Sequence, residues 1–70
     1  MVTFKIGRCL LHSQLQKRRM TQQELAERTG YSKQSISRYV KNMHVMSYET
    51  ALNISKVLDC NMEDLYEIWE

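Results

Sequence analysis

The sequence predicts an all-α fold, a bundle of five short helices, and three observations predict it. Proline is absent and glycine occurs only at Gly7 and Gly30 in 70 residues, so little interrupts helix except at turns. Runs of β-branched residues are missing, which removes the usual signal for strands. Thr21, Ser32, Ser47 and Asn61 each stand just ahead of an apolar set spaced at three and four residues, where a side-chain oxygen caps a helix.

The first helix is expected from about Thr3 or Phe4 to Lys17 or Arg18, with Leu11 and Leu15 one turn apart on its inner side. Lys17, Arg18 and Arg19 complement the negative end of its dipole. Thr21-Gln22-Gln23-Glu24 forms a capping box, with Thr21 capping the second helix and Glu24 reaching back to it. That helix starts at Gln22, turns Leu25 and Ala26 inward, and closes at Gly30, which tolerates a left-handed conformation. Ser32 caps a third helix, Lys33 to Lys41, whose buried side is Ile36, Tyr39 and Val40. Asn42 stops it, and a short loop through Met46 leads to Ser47, the cap of a fourth helix. Its inner side is Tyr48, Ala51, Leu52, Ser55 and Leu58, with Ile54 and Val57 alongside. Asn61 caps a fifth helix, Met62 to about Trp69, with Met62, Leu65, Ile68 and Trp69 apolar.

Residues 1–70 read as one domain, without repeats, low-complexity tracts or linkers. No apolar run spans a bilayer and no secretion signal is visible, so the expected setting is cytoplasmic, with Cys9 and Cys60 reduced. Those two cysteines read as small apolar groups rather than redox centres, and the dispersed methionines as core filler. His12 and His44 stand apart from other ligands, so no metal is expected, and no cofactor either. A catalytic role finds no glycine-rich phosphate loop, no framed pair of carboxylates and no room for a water-excluding pocket.

Charge is divided along the chain. Residues 1–41 carry nine Lys or Arg against Glu24 and Glu27, a balance of +7. Residues 42–70 carry Lys56 against Glu49, Asp59, Glu63, Asp64, Glu67 and Glu70, a balance of −5. A basic front half fits contact with a polyanion, although solvated helix faces give the same pattern. If Ile36, Tyr39 and Val40 pack inward, then Lys33, Gln34, Ser37, Arg38 and Lys41 project outward, a face with no acidic residue. Two short helices around Gly30-Tyr31-Ser32 have the layout of a helix-turn-helix, whose second helix enters the major groove of DNA. Lys33, Gln34, Ser37 and Arg38 are the candidate base readers, since glutamine pairs with adenine and arginine or lysine with guanine. Gln22, Ser32, Ser35 and Lys41 are the candidate phosphate contacts.

The segment TQQELAERTGYSKQSIS, Thr21 to Ser37, resembles the lambda repressor and Cro-like helix-turn-helix domain, small stand-alone phage or mobile-element type. The similarity runs through Leu58 into Cys60-Asn61-Met62-Glu63-Asp64-Leu65 and implies a five-helix bundle that binds an operator. It also implies phosphate contact by Gln22 and groove-facing places for Lys33, Gln34, Ser35 and Arg38. Leu15 and Val40 stand where many members carry a paired arginine and glutamate, a joint loss that strands no charge. Asn42 replaces the usual glycine after helix three, and Met46 the usual proline before helix four.

The expected function is therefore a sequence-specific, double-stranded DNA-binding transcriptional regulator, a repressor by type. Trp69 either caps the core or joins Ile68 in a patch for self-association. In the second case a homodimer on DNA sets two reading helices about one helical turn apart. Lys17-Arg18-Arg19 is either a phosphate clamp or a solvated helix end. With no sensor segment, regulation is expected through protein concentration, competing sites or a regulatory protein partner. A different class stays open: a protein-interaction module, antitoxin- or antirepressor-like, that uses helix five and the acidic half. Salt dependence separates the two.

Overall fold

The computed structural model describes residues 3–70. Its order is strand β1 (Lys5–Cys9), helix α1 (Leu11–Lys17), helix α2 (Gln22–Thr29), helix α3 (Lys33–Val40), helix α4 (Tyr48–Leu58), a 3-10 turn (Met62–Leu65) and strand β2 (Tyr66–Trp69). Four α-helices thus pack with a small antiparallel sheet, in place of the expected five-helix bundle. Helices two to four fall within a residue of their expected bounds because each start is chemically marked. Thr21 Oγ1 accepts from the Glu24 N–H at 3.1 Å, Ser32 Oγ from the Ser35 N–H at 3.1 Å, and Ser47 Oγ from the Thr50 N–H at 3.1 Å. The return bond of a capping box forms elsewhere, where the Asp64 carboxylate accepts from the Asn61 N–H at 3.0 Å.

The two ends depart from the expectation for one shared reason. Lys5 pairs with Trp69, Ile6 with Ile68 and Cys9 with Tyr66, with an irregularity between Ile6 and Cys9. Neither segment is strand on its own, since two short apolar stretches fit either period and become a ladder only on meeting. Helix one begins at Leu11 and not near Thr3, and no side chain caps it. Instead the Leu10 N–H donates to the Leu65 carbonyl at 2.8 Å, so the start of α1 is fixed by the far end of the chain. Helix five is a single 3-10 turn, after which Tyr66, Ile68 and Trp69, aromatic and β-branched, extend as strand.

Helix ends follow one device. Arg19, Asn42 and Asp59 are left-handed, with φ of 52°, 62° and 54°. Each is followed by an N–H reaching back to the last turn: Met20 to Leu15, Met43 to Arg38 and Cys60 to Ser55, at 3.0, 2.9 and 3.0 Å. Gly30, with φ of 81°, closes α2 through its N–H to the Ala26 carbonyl at 2.9 Å.

The core draws one fully buried side chain from each helical element: Leu11, Leu25, Ile36, Ile54 and Leu65. Leu15, Met46, Leu58 and Cys9 extend it, and Tyr39 and Val40 pack against it half-buried. Each fully buried leucine or isoleucine contributes about 2 kcal/mol over an exposed one, which a chain of this size needs. Tyr48, expected on the inner side of α4, is 76% exposed, and the buried face of that helix starts one turn later at Ala51. A polar brace joins α1 to α4. The Arg18 guanidinium donates to the Leu58 carbonyl at 2.6 Å and to the Gln14 carbonyl and Oε1 at 3.0 and 2.6 Å. Buried Gln14 donates in turn to the Asp64 carbonyl at 3.1 Å. No helix among the described residues is long and apolar enough to cross a membrane.

Candidate nucleic-acid interface

Helix α2, the turn Gly30-Tyr31-Ser32 and α3 are held as a unit. Thr29 Oγ1 donates to the Leu25 carbonyl at 2.8 Å and accepts from the Tyr31 N–H at 3.3 Å. The Tyr31 hydroxyl accepts from Asn53 Nδ2 of α4 at 2.8 Å, which braces the turn from behind. Ile36 is completely buried, which fixes the rotation of α3 and sends Lys33, Gln34 and Arg38 into solvent. Lys41 lies just past the helix as its C-cap, also exposed, while Ser35 and Ser37 are half-buried. No acidic residue occurs in α3.

Two clefts organise these residues. Thr21, Gln22, Gln23 and Lys33 line one, so the start of α2 and the start of α3 share a hollow. The first N–H groups of α2 have no carbonyl of their own helix to bond, and Gln22 adds a side-chain amide there. Ser35, Arg38 and Tyr39 of α3 line the other, with His44, Val45 and Ser47 opposite them. Gln34 and Ser37 line neither. Ser32 donates its hydroxyl to Ser35 Oγ at 2.9 Å, which commits Ser32 to the helix cap and leaves the Ser35 hydroxyl hydrogen for an outside acceptor.

The loop wall is not legible in the sequence, where His44 reads only as an isolated histidine without metal-ligand neighbours. What signal there is lies in Asn42: a left-handed residue two positions before His44 turns the chain back along α3. Of the basic cluster, Arg18 is spoken for by the brace to α4, whereas Lys17 and Arg19 are exposed.

Ile68 and Trp69, expected to share one apolar patch, are neighbours in a strand and so point to opposite faces of the sheet. Ile68 lines an apolar groove with Ile6, Val45, Met46, Tyr48 and Met62. Trp69 instead lies across Gly7 of the paired strand, where any side chain would collide with the indole. Burial pushes the Cys9 thiol up, against hydrogen bonds from its surroundings, and likewise raises Cys60 and the Tyr66 hydroxyl.

A short helix capped at a tight turn, its outer face cationic and amide-bearing, defines a DNA-reading helix-turn-helix module. Residues 11–69 match the model of the Cro/C1-type HTH DNA-binding domain, and the chain belongs to that family. It is 46% identical over 68 residues to YopS, an uncharacterized HTH-type transcriptional regulator derived from the SPbeta prophage of Bacillus subtilis (strain 168), covering 96% of this chain and 92% of the relative. Its fold is similar to the crystal structure of the transcriptional regulator VanUg, with a TM-score of 0.74 and 28% identity over 99% of this chain and 91% of that one.

Proposed function

We propose that the protein is a transcriptional repressor that reads double-stranded DNA in the cytoplasm, with α3 in the major groove. The observation that carries this reading is the acid-free outer face of α3, presenting Lys33, Gln34 and Arg38, with Lys33 lining the Gln22 hollow. Lys33, Gln34, Ser37 and Arg38 read bases, Arg38 by pairing with guanine and Gln34 with adenine. Gln22, Ser35 and Lys41 contact phosphates and set the register of the helix in the groove. Ser32 supports the same contact indirectly, by orienting the Ser35 hydroxyl. YopS and VanUg, both named as transcriptional regulators, support regulation as the output.

The protein acts as a homodimer at least on DNA, through the groove that holds Ile68. That groove shares Val45 and Ser47 with the cleft beside α3, so a second copy seated there sits next to the same stretch of DNA. Trp69, on the other face of the sheet, takes no part. The protein-interaction alternative loses the helix it relied on, because residues 62–69 are turn and strand.

Selection of bound sequences from a random duplex pool at two salt concentrations tests the reading. An inverted repeat with half-sites about one helical turn apart is the expected result. Salt-sensitive retention with no enriched motif, or no retention at all, overturns it.

A further inference from the structure

Two hydrogen bonds tie the terminal sheet to the loop that leaves α3. The Cys9 N–H, at the end of β1, donates to Asn42 Oδ1 at 2.7 Å. The Met46 N–H donates to the Tyr66 hydroxyl, at the start of β2, at 3.0 Å. Asn42 opens the loop and Met46 ends it, so residues 43–45 are strung between two points anchored on the sheet. Met43, His44 and Val45 are themselves exposed, while Met46 and Cys9 are buried. Both anchors depend on the residues present: glycine at 42 has no oxygen to accept from Cys9, and proline at 46 has no N–H to give Tyr66. The two bonds hold the loop from outside at both of its ends.

We propose that the terminal sheet is a positioning device for DNA contact, with Asn42 and Tyr66 as the positioning residues. They hold residues 43–45 so that His44 and Val45 form the second wall of the cleft whose first wall is Ser35, Arg38 and Tyr39. Neither touches DNA; both act through the loop. Without one anchor the loop samples other arrangements, and the apparent dissociation constant rises as the inverse of the competent fraction that remains. One such hydrogen bond predicts a loss of roughly three- to tenfold. The proposal rests on the DNA reading of α3.

Asn42→Gly keeps the left-handed turn and deletes the acceptor, and Tyr66→Phe keeps the ring and deletes the hydroxyl. Val57→Ala, in a half-buried position on α4 away from the loop, serves as a control that lowers stability alone. Wild type, the two variants, their combination and the control are compared at a temperature where circular dichroism shows all of them folded. The measurement is affinity for the duplex enriched by selection and for a random duplex of equal length, at two salt concentrations. Asn42→Gly and Tyr66→Phe should each bind the enriched duplex roughly three- to tenfold more weakly, with the salt slope of wild type because neither change removes a charge. The combination should lose more, and Val57→Ala should bind like wild type. Folded variants that bind as wild type does, or a control that loses as much as they do, overturn the positioning role. A wild type that binds no duplex overturns the DNA reading itself, an outcome visible before any variant is made.

Discussion

Removing the Arg18 guanidinium separates two roles that its sequence neighbourhood leaves entangled. Its three hydrogen bonds, at 2.6, 3.0 and 2.6 Å, run to the last carbonyl of α4 and to Gln14 of α1. Arg18→Ala strands the Leu58 carbonyl at the negative end of α4 and frees Gln14, whose own bond to the Asp64 carbonyl then loses its support. A hydrogen bond from a charged donor contributes about 1.5 to 3 kcal/mol, but Arg18 is only half-buried and its bonds act as a unit. The expected net loss is about 2 to 3 kcal/mol, a fall in melting temperature of roughly 10 to 20 °C for a domain this small. Differential scanning calorimetry gives the stability, and fluorescence anisotropy with the enriched duplex gives the affinity of the folded protein. Stability should fall while affinity holds. Lys17→Ala and Arg19→Ala, at exposed positions, should leave stability nearly unchanged. An Arg18→Ala protein that melts like wild type and loses DNA affinity would refute the brace and restore Arg18 to the phosphate contacts.

Arg38→Ala should cost about 1 to 3 kcal/mol on the enriched duplex and little on random DNA, whereas Gln22→Ala should weaken both alike; competition binding reads the difference, and equal losses for both variants contradict the assigned roles. Gly7→Ala should push aside the exposed indole of Trp69, the sole tryptophan, and shift its fluorescence at a cost of about 1 kcal/mol or less; adding Trp69→Ala should recover part of the loss in chemical denaturation. Stability should decline in alkali. Cys9 and Tyr66 hold their protons more tightly folded than unfolded, so their contribution is complete below the ordinary values of 9.0 and 10.0 and is lost as pH rises through the raised ones. Urea titrations from pH 7 to about pH 10.5 should show the decline, less steep in Cys9→Ala, and an unchanged slope in that variant would remove Cys9 as a cause.

The helix-turn-helix was legible in the sequence because its information is local. Thr21, Ser32 and Ser47 cap the helices that follow them by bonds spanning three residues, and Gly30 closes α2 through its own backbone. Helical periodicity then placed Lys33, Gln34 and Arg38 outward without knowledge of any partner, since burying Ile36 leaves no other rotation. The ends were decided by contacts that span the whole chain. Residues 5–9 contain nothing that forbids helix, and Tyr66, Ile68 and Trp69 satisfy a helical spacing as well as an alternating one. The choice fell to the ladder between Ile6 and Ile68, the Leu10–Leu65 bond and the indole over Gly7, all between residues about sixty apart. The loop past α3 belongs to the same class, since Asn42 and Met46 find their partners on the sheet. Sequence alone therefore determined the reading helix and its face, because caps and periodicity act within a few residues. Only the tertiary structure decided how the two ends meet and which loop they hold, because strand pairing gains its free energy from a partner that local sequence does not specify.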